Sequence, residues 1–234
     1  KRYPASSYGL VLWSHGLGWV PPEYSFPGGY AMRLPDPDMP RTKYYAEDEH
    51  PGTTGKAYMD IREMAARLPG HFSFILWDVC FMGGIEVAYE LRNKTDYMIA
   101  SPAEVISDGF PYEKMMPLLW GGEEAMKQIC REYYNHYNKY QVNSLWRSAV
   151  VGLVKTEELE PLVAKVRTLL AGKTDYVRAW HYPLNQGGLP MVFFDFGDYI
   201  RKMTTEEEYN SFKKQLDRVV IYKAATEKLF GDEV

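Results

Sequence analysis

Two uninterrupted apolar runs stand out in the hydropathy pattern of the chain. One covers residues 10–13 and ends shortly before His15, and the other covers residues 74–77 and ends shortly before Cys80. Such runs are typical of strands that are buried on both faces of a parallel sheet. Open α/β sheets bind their ligands at the carboxyl ends of the strands. We therefore expect His15 and Cys80 at the ligand-binding end of such a sheet.

The remaining pattern alternates between strands and helices, which is typical of βα units. It predicts strands at Leu10–Ser14, Phe74–Asp78, Tyr97–Ser101, Ala149–Val154 and Val192–Phe196. It predicts helices at Met59–Leu68, Gly84–Arg92, Tyr112–Leu119, Glu123–Tyr140, Thr156–Leu170 and Thr205–Phe230. This order of elements predicts a single α/β domain over residues 1–234.

Two segments need a separate interpretation. Pro21–Gly55 is rich in proline and longer than most loops of compact domains, so we expect it to be functional or mobile. Residues 133–140 are rich in tyrosine, and we interpret them as an exposed helix face rather than a binding surface.

Composition describes an ordinary folded protein and disfavours several partners. Hydrophobic residues make up 46% and charged residues 25% of the 234 positions, as in soluble globular domains. The net charge of -4 disfavours nucleic acid, because phosphate binding needs clustered Lys and Arg. No apolar stretch approaches the ~20 residues of a membrane span.

The spacing of potential ligands disfavours metal and phosphate sites. The two cysteines, Cys80 and Cys130, make no disulfide framework. The other histidines lack zinc-ligand spacing, and no phosphate-binding glycine motif is present. Asp36 and Asp38 lie in a proline-rich loop without a complete set of calcium ligands. We therefore expect no cofactor, and calcium cannot be assigned to any residue.

Cys80 and His15 are the candidate reactive pair. A thiol nucleophile needs a group that accepts and returns protons, and histidine commonly supplies it. Gly83 and Gly84 open the next predicted helix, whose N-terminus would stabilise a thiolate. Gly16 has no Cβ, so its N–H can approach a substrate carbonyl closely, as an oxyanion hole requires.

Structural roles stay open for both residues at this point. Most unpaired cysteines are inert core thiols, and this is our interpretation of Cys130, which lies mid-helix among apolar residues. A lone histidine at a strand end is more often a structural loop residue than a catalytic one. The glycine after His15 and the glycines after Cys80 favour the functional interpretation.

Four stretches together resemble the clostripain family of cysteine peptidases, in the wider group that includes gingipain, legumain and the caspases. They are Leu12–Trp19, Trp77–Leu91, Ile99–Glu104 and Asp108–Tyr112, with a weaker match at Phe194–Tyr199. The resemblance extends from about Leu10 to the 190s. It implies a caspase-like α/β/α sandwich with a mostly parallel central sheet.

The resemblance also implies roles for five residues. Cys80 is the nucleophile, and His15 protonates the leaving amine. The backbone N–H groups of Gly16 and Cys80 bind the oxyanion. Asp78 and Asp108 match the carboxylates that receive a basic side chain before the scissile bond. The alternatives are a loop-capping role for Asp78 and a turn role for Asp108, which precedes glycine.

Family habit implies a secreted or surface-attached bacterial zymogen that is cut between the histidine and the cysteine. The irregular segment Pro21–Gly55 lies in that interval, and Arg33, Arg41, Lys43 and Lys56 are the basic residues there that such an enzyme could cut. Relatives carry a strand–helix unit before the histidine strand, which we expect this chain to lack. An upstream segment of its own precursor is then a candidate partner. Relatives also have a further glycine where this chain has Leu17.

Three functions follow from these residues. The leading one is an endopeptidase that cleaves after Arg or Lys, with protein or peptide substrates. The alternatives are an inactive peptidase-like binding protein and a thiol acyl hydrolase or transferase for a non-peptide substrate. The joint presence of His15, Gly16 and Cys80 favours an enzyme, because a binding protein needs none of the three.

Overall fold

Five strands form the central sheet of the protein. The computed structural model describes residues 3–20, 59–140, 145–183 and 192–233. In these ranges the sheet contains β1 (Gly9–Trp13), β2 (Phe72–Asp78), β3 (Thr95–Ala100), β4 (Val150–Lys155) and β5 (Val220–Ala225), in that spatial order. β1, β2 and β3 are parallel, while β4 runs antiparallel to both of its neighbours. The sheet is therefore mixed, although only β4 opposes the common direction.

Helices cover both faces of the sheet. They are α1 (Ile61–Arg67), α2 (Ile85–Leu91), α3 (Tyr112–Met115), α4 (Gly122–Asn138), α5 (Leu159–Leu170), α6 (Phe196–Met203) and α7 (Glu206–Val219). Buried residues of α3 and α4 form one apolar core against the sheet. Those of α1, α2, α5, α6 and α7 form a second core on the opposite face. The predicted α/β/α layering is therefore confirmed.

The two apolar runs differ in burial. The last five residues of β2 are buried, as the pattern predicts. β1 instead has exposed ends and half-buried central residues, and Trp13 is 66% exposed. The prediction of burial on both faces is wrong for β1, because it lies at the edge of the described sheet and pairs there with β2 alone.

The predicted strand Val192–Phe196 is wrong. Only a single bridge joins Phe194 to His181, and α6 begins at Phe196. Asp195 ends the extended segment because its side chain accepts a hydrogen bond from the N–H of Asp198 at 2.7 Å. A side-chain cap of this kind favours a helix start over continued strand.

The last predicted helix, Thr205–Phe230, is too long. It begins as predicted, with Thr205 and Glu208 forming a capping box, but it ends at Val219. β5 follows directly and pairs with β4. The β-branched and aromatic residues at 219–222 favour this strand.

Several of the segments interpreted from the sequence lie outside the described residues. The proline-rich segment Pro21–Gly55 is one of them. Within the described ranges, no helix combines the length and apolarity that crossing a membrane would take. The same ranges hold no group of three His, Cys, Asp or Glu side chains arranged to bind a metal ion.

Candidate active site

The parallel pairing of β1 and β2 brings His15 and Cys80 to the same end of the sheet. Trp13, the last residue of β1, pairs with Asp78, the last residue of β2. His15 and Cys80 each follow by two positions. A Cβ placed on Gly16 would lie 2.5 Å from the carbonyl oxygen of Cys80 and 2.3 Å from Val79. The loops that carry the two candidate residues are therefore in direct backbone contact, and only glycine fits at position 16.

The Cys80 side chain is fully buried in the apolar core and contacts the backbone of Val105. Its Sγ accepts a hydrogen bond from the N–H of Val105 at 3.2 Å and donates to the carbonyl of Val105 at 3.7 Å. An N–H that points at sulfur stabilises negative charge on it. Burial within α4 raises the pKa of the Cys130 thiol. Cys130 is a core residue, as the sequence predicts.

The loop after Cys80 is held against the end of β3. Phe81 has a φ of 60°, which is uncommon for a residue with a side chain. Its N–H donates to the carbonyl of Ala103 at 3.0 Å, and the N–H of Gly83 donates to Ser101 at 2.8 Å. A Cβ on Gly83 would lie 2.5 Å from the backbone nitrogen of Pro102. These contacts fix the direction in which the chain leaves Cys80.

Phe193 packs on both candidate loops, and the sequence analysis did not single it out. Its ring stacks on Phe81 with centroids 4.1 Å apart, and meets Trp19 edge-on at 6.5 Å. A Cβ on Gly18 would approach the Phe193 ring to 3.1 Å. The aromatic contact therefore joins the loop after His15 to the loop after Cys80.

The two acidic candidates occupy different environments around Gly109. Asp78 is fully buried, and its Oδ2 accepts a hydrogen bond from the hydroxyl of Tyr112 at 2.9 Å. Gly109 has a φ of 69°, and a Cβ there would lie 2.3 Å and 2.7 Å from the two carboxylate oxygens of Asp78. Asp108, the residue before Gly109, is exposed. The structure thus brings the segment of Asp108 against the carboxylate of Asp78.

The tyrosine-rich part of α4 faces this acidic region. Tyr133 and Tyr137 are fully buried, so the prediction of an exposed face is wrong. The hydroxyl of Tyr137 donates to the carbonyl of Gly109 at 2.7 Å. The hydroxyl of Tyr133 has no hydrogen-bond partner among the described residues.

The pKa values of the phenols show that they stay protonated. Burial, followed by the neighbouring Tyr137 and the charges of Asp78 and Cys80, raises the pKa of Tyr133. Burial, followed by the charges of Asp108 and Asp78, raises the pKa of Tyr137. Burial, followed by the charge of Asp78, also raises the pKa of Tyr112. All three therefore act as neutral hydroxyl groups near neutral pH.

Comparison with known proteins identifies related peptidases. The chain is similar to an inactive zymogen C11 protease from Parabacteroides distasonis, with 32% identity and a TM-score of 0.73 over 97% of this chain and 58% of that one. It is similar to a secreted C11 cysteine protease from Bacteroides thetaiotaomicron, solved with an irreversible peptide inhibitor, with 28% identity and a TM-score of 0.72. That match covers 97% of this chain and 60% of the other.

A third solved structure is a clostripain from Bacteroides thetaiotaomicron in complex with the peptide inhibitor BTN-VLTK-AOMK. It is 29% identical, with a TM-score of 0.67 over 79% of this chain and 85% of that one. No curated protein matches the sequence. The chain spans about three fifths of the length of the first two solved structures. The model of the clostripain family matches residues 1–232, and the chain therefore belongs to the clostripain family.

Proposed function

We propose that this protein is a cysteine endopeptidase that cleaves peptide bonds after Arg or Lys through a dyad of His15 and Cys80. The observation that carries the proposal is the contact between the two loops. The register of β1 and β2 aligns the strand ends, and Gly16 packs on the carbonyl of Cys80 without room for a Cβ. Membership of the clostripain family supports the same chemistry.

The proposed reaction has two steps. The thiol of Cys80 gives its proton to His15, and its sulfur attacks the substrate carbonyl carbon while the N–H groups of Gly16 and Cys80 stabilise the negative oxygen that forms. The C–N bond then breaks, His15 gives a proton to the leaving amine, and an acyl thioester remains on Cys80. His15 next removes a proton from water, the water attacks the thioester, and the acid product leaves with the thiol restored.

The acidic residues account for the proposed selectivity. Asp108 is exposed beside Gly109, so its carboxylate is available to a lysine ammonium or an arginine guanidinium. Asp78 adds a negative charge behind Gly109, where burial protects it from screening by salt. Charge-assisted hydrogen bonds to carboxylates are the usual means of binding such side chains. One related clostripain was solved with an inhibitor whose peptide part, VLTK, ends in lysine.

The proposal also covers proteolytic activation of the protein and its cellular location. We propose a secreted protein that is activated by its own cleavage between His15 and Cys80. One similar structure is an inactive zymogen and another is a secreted protease. An upstream segment of the precursor remains a proposed partner.

A panel of fluorogenic peptides that end in Arg, Lys, Asp or Leu tests the proposed function. We expect hydrolysis after Arg and Lys to be far faster than after Leu or Asp, because an acidic pocket stabilises cationic side chains and repels aspartate. Equal cleavage after Leu would contradict the acidic pocket. Hydrolysis of thioesters or esters without any amide cleavage would favour an acyl hydrolase, and binding of peptides without turnover would favour an inactive peptidase-like protein.

Replacing Gly16 with alanine should uncouple the two catalytic loops. The added Cβ would lie 2.3 Å from Val79 and 2.5 Å from the Cys80 carbonyl, so one loop must move. We expect a fall of about 10²- to 10³-fold in kcat, as for other losses of oxyanion stabilisation. The matched control is Gly152→Ala, because a Cβ at Gly152 meets nothing closer than 3.9 Å. Equal kcat values for the two variants would contradict the proposed role of Gly16.

A further inference from the structure

The carboxylate of Asp78 is held by a residue that the dyad does not use. Asp78 ends β2, two positions before Cys80. It is fully buried, and the hydroxyl of Tyr112 donates to its Oδ2 at 2.9 Å. Tyr112 is the first residue of α3, so a separate element of the fold supplies this donor.

The hydroxyl of Tyr112 remains a hydrogen-bond donor because the phenol keeps its proton. Burial and the adjacent charge of Asp78 raise the pKa of the phenol above its ordinary value. The hydroxyl therefore has a hydrogen to donate throughout the neutral and alkaline range. A buried carboxylate needs such a donor, because an unsatisfied buried charge is costly.

Gly109 packs against the Asp78 carboxylate and is bonded to Asp108, so it links the positions of the two acidic residues. Its Cα packs on the carboxylate so closely that a Cβ would lie 2.3 Å from Oδ2, the oxygen that Tyr112 contacts. The carbonyl of Gly109 is held from the other side by the hydroxyl of Tyr137 at 2.7 Å. Because Asp108 is the preceding residue, a shift of the Asp78 carboxylate displaces the exposed carboxylate beside it.

From these contacts we propose that Tyr112 is a positioning residue for substrate selectivity. Its hydroxyl aligns the Asp78 carboxylate, and the contact with Gly109 in turn aligns the Asp108 carboxylate. Both carboxylates then face the basic side chain before the scissile bond. This inference rests on the proposed function and extends it from the two carboxylates to the phenol that orients them. Tyr112 lies in the Asp-Gly-Phe-Pro-Tyr stretch, so one short segment supplies Asp108, Gly109 and their support.

The test is Tyr112→Phe, which removes one oxygen and keeps the ring. We expect KM for a lysyl peptide to rise about three- to tenfold, the size of one ordinary hydrogen bond, because Tyr112 acts on the substrate only through the carboxylates, with kcat nearly unchanged. KM for the matching norleucine peptide, which has no charge to bind, should not change. The control is Tyr97→Phe, because the hydroxyl of Tyr97 donates to the carboxylate of Glu123 at 3.0 Å in α4.

The double variant Tyr112→Phe with Asp78→Asn separates positioning from general damage. If Tyr112 acts through Asp78, the double variant loses no more than Asp78→Asn alone, because the two changes remove one interaction. Additive losses, an unchanged lysyl KM in Tyr112→Phe, or equal losses on lysyl and norleucine peptides would each overturn the inference while the proposed function stands. Absence of lysyl and arginyl cleavage by the wild type would instead overturn the proposed function and this inference with it.

Discussion

Replacing Cys80 with alanine is expected to abolish peptide hydrolysis. The substitution removes the sulfur that forms the acyl thioester, and no other described cysteine lies at the ends of the parallel strands. We expect kcat to fall by about 10³-fold or more, to the residual level that binding and oxyanion stabilisation supply. Turnover of the Arg and Lys peptides by the variant measures this directly.

Cys130→Ala is the matched control for the loss of a buried thiol. Cys130 is as fully buried as Cys80, but it lies within α4 rather than after the end of a strand. We expect a lower melting temperature, because its replacement leaves a small cavity, and an unchanged kcat, because Cys130 takes no part in the proposed reaction. Unchanged turnover by Cys80→Ala would contradict the proposed mechanism.

Cys80→Ala also tests the proposed self-cleavage. The mass of the purified wild type should show a cut after a basic residue between His15 and Cys80, whereas Cys80→Ala should remain intact. The candidate sites are Arg33, Arg41, Lys43 and Lys56. A wild-type protein that is both intact and fully active would rule out activation by cleavage.

The sequence predicted that His15 and Cys80 lie at the same end of the sheet because both follow strands of the same type. The run before Cys80 is apolar and becomes the buried part of β2. The glycines at 16 and 83 mark close backbone approaches, which the structure shows at 2.5 Å for a Cβ in each position. Short sequence patterns of this kind can be interpreted without knowing which distant residues pack against them.

The α4 tyrosines show where local interpretation failed. Tyr133 and Tyr137 continue a stripe with Met126, Ile129 and Cys130, and all five are buried. This spacing of three and four residues is typical of the apolar face of a helix. The tyrosine hydroxyl groups made this helix face look polar in the sequence. A buried tyrosine hydroxyl can nevertheless donate to a backbone carbonyl, as that of Tyr137 does to Gly109.

Other contacts depend on parts of the chain that meet only after folding. Phe193 stacks on Phe81 from a segment that the pattern assigned to a strand. β5 pairs with β4 although α5, α6 and α7 separate the two strands in the sequence. Neither hydrophobic period nor turn chemistry specifies such long-range packing, which explains why these features were missed.

Replacing Asp108 with alanine is expected to weaken and broaden substrate selection. Asp108 is the exposed carboxylate of the acidic pair, and its removal leaves only the buried charge of Asp78. We expect KM for Arg and Lys peptides to rise about 10- to 100-fold, the size of a lost charge-assisted hydrogen bond. The kcat should change much less, because the dyad and the N–H groups of Gly16 and Cys80 are untouched.

Ser107→Ala is the matched control, since Ser107 is the exposed neighbour of Asp108 in the same turn. It should leave both kinetic constants unchanged. A norleucine peptide should be cleaved equally well by Asp108→Ala and the wild type, so the preference for a basic side chain over a neutral one should fall by the same factor as the affinity. If Asp108→Ala kept the wild-type KM for both Arg and Lys, Asp108 would be a turn residue before Gly109, and Asp78 alone would have to supply the selectivity.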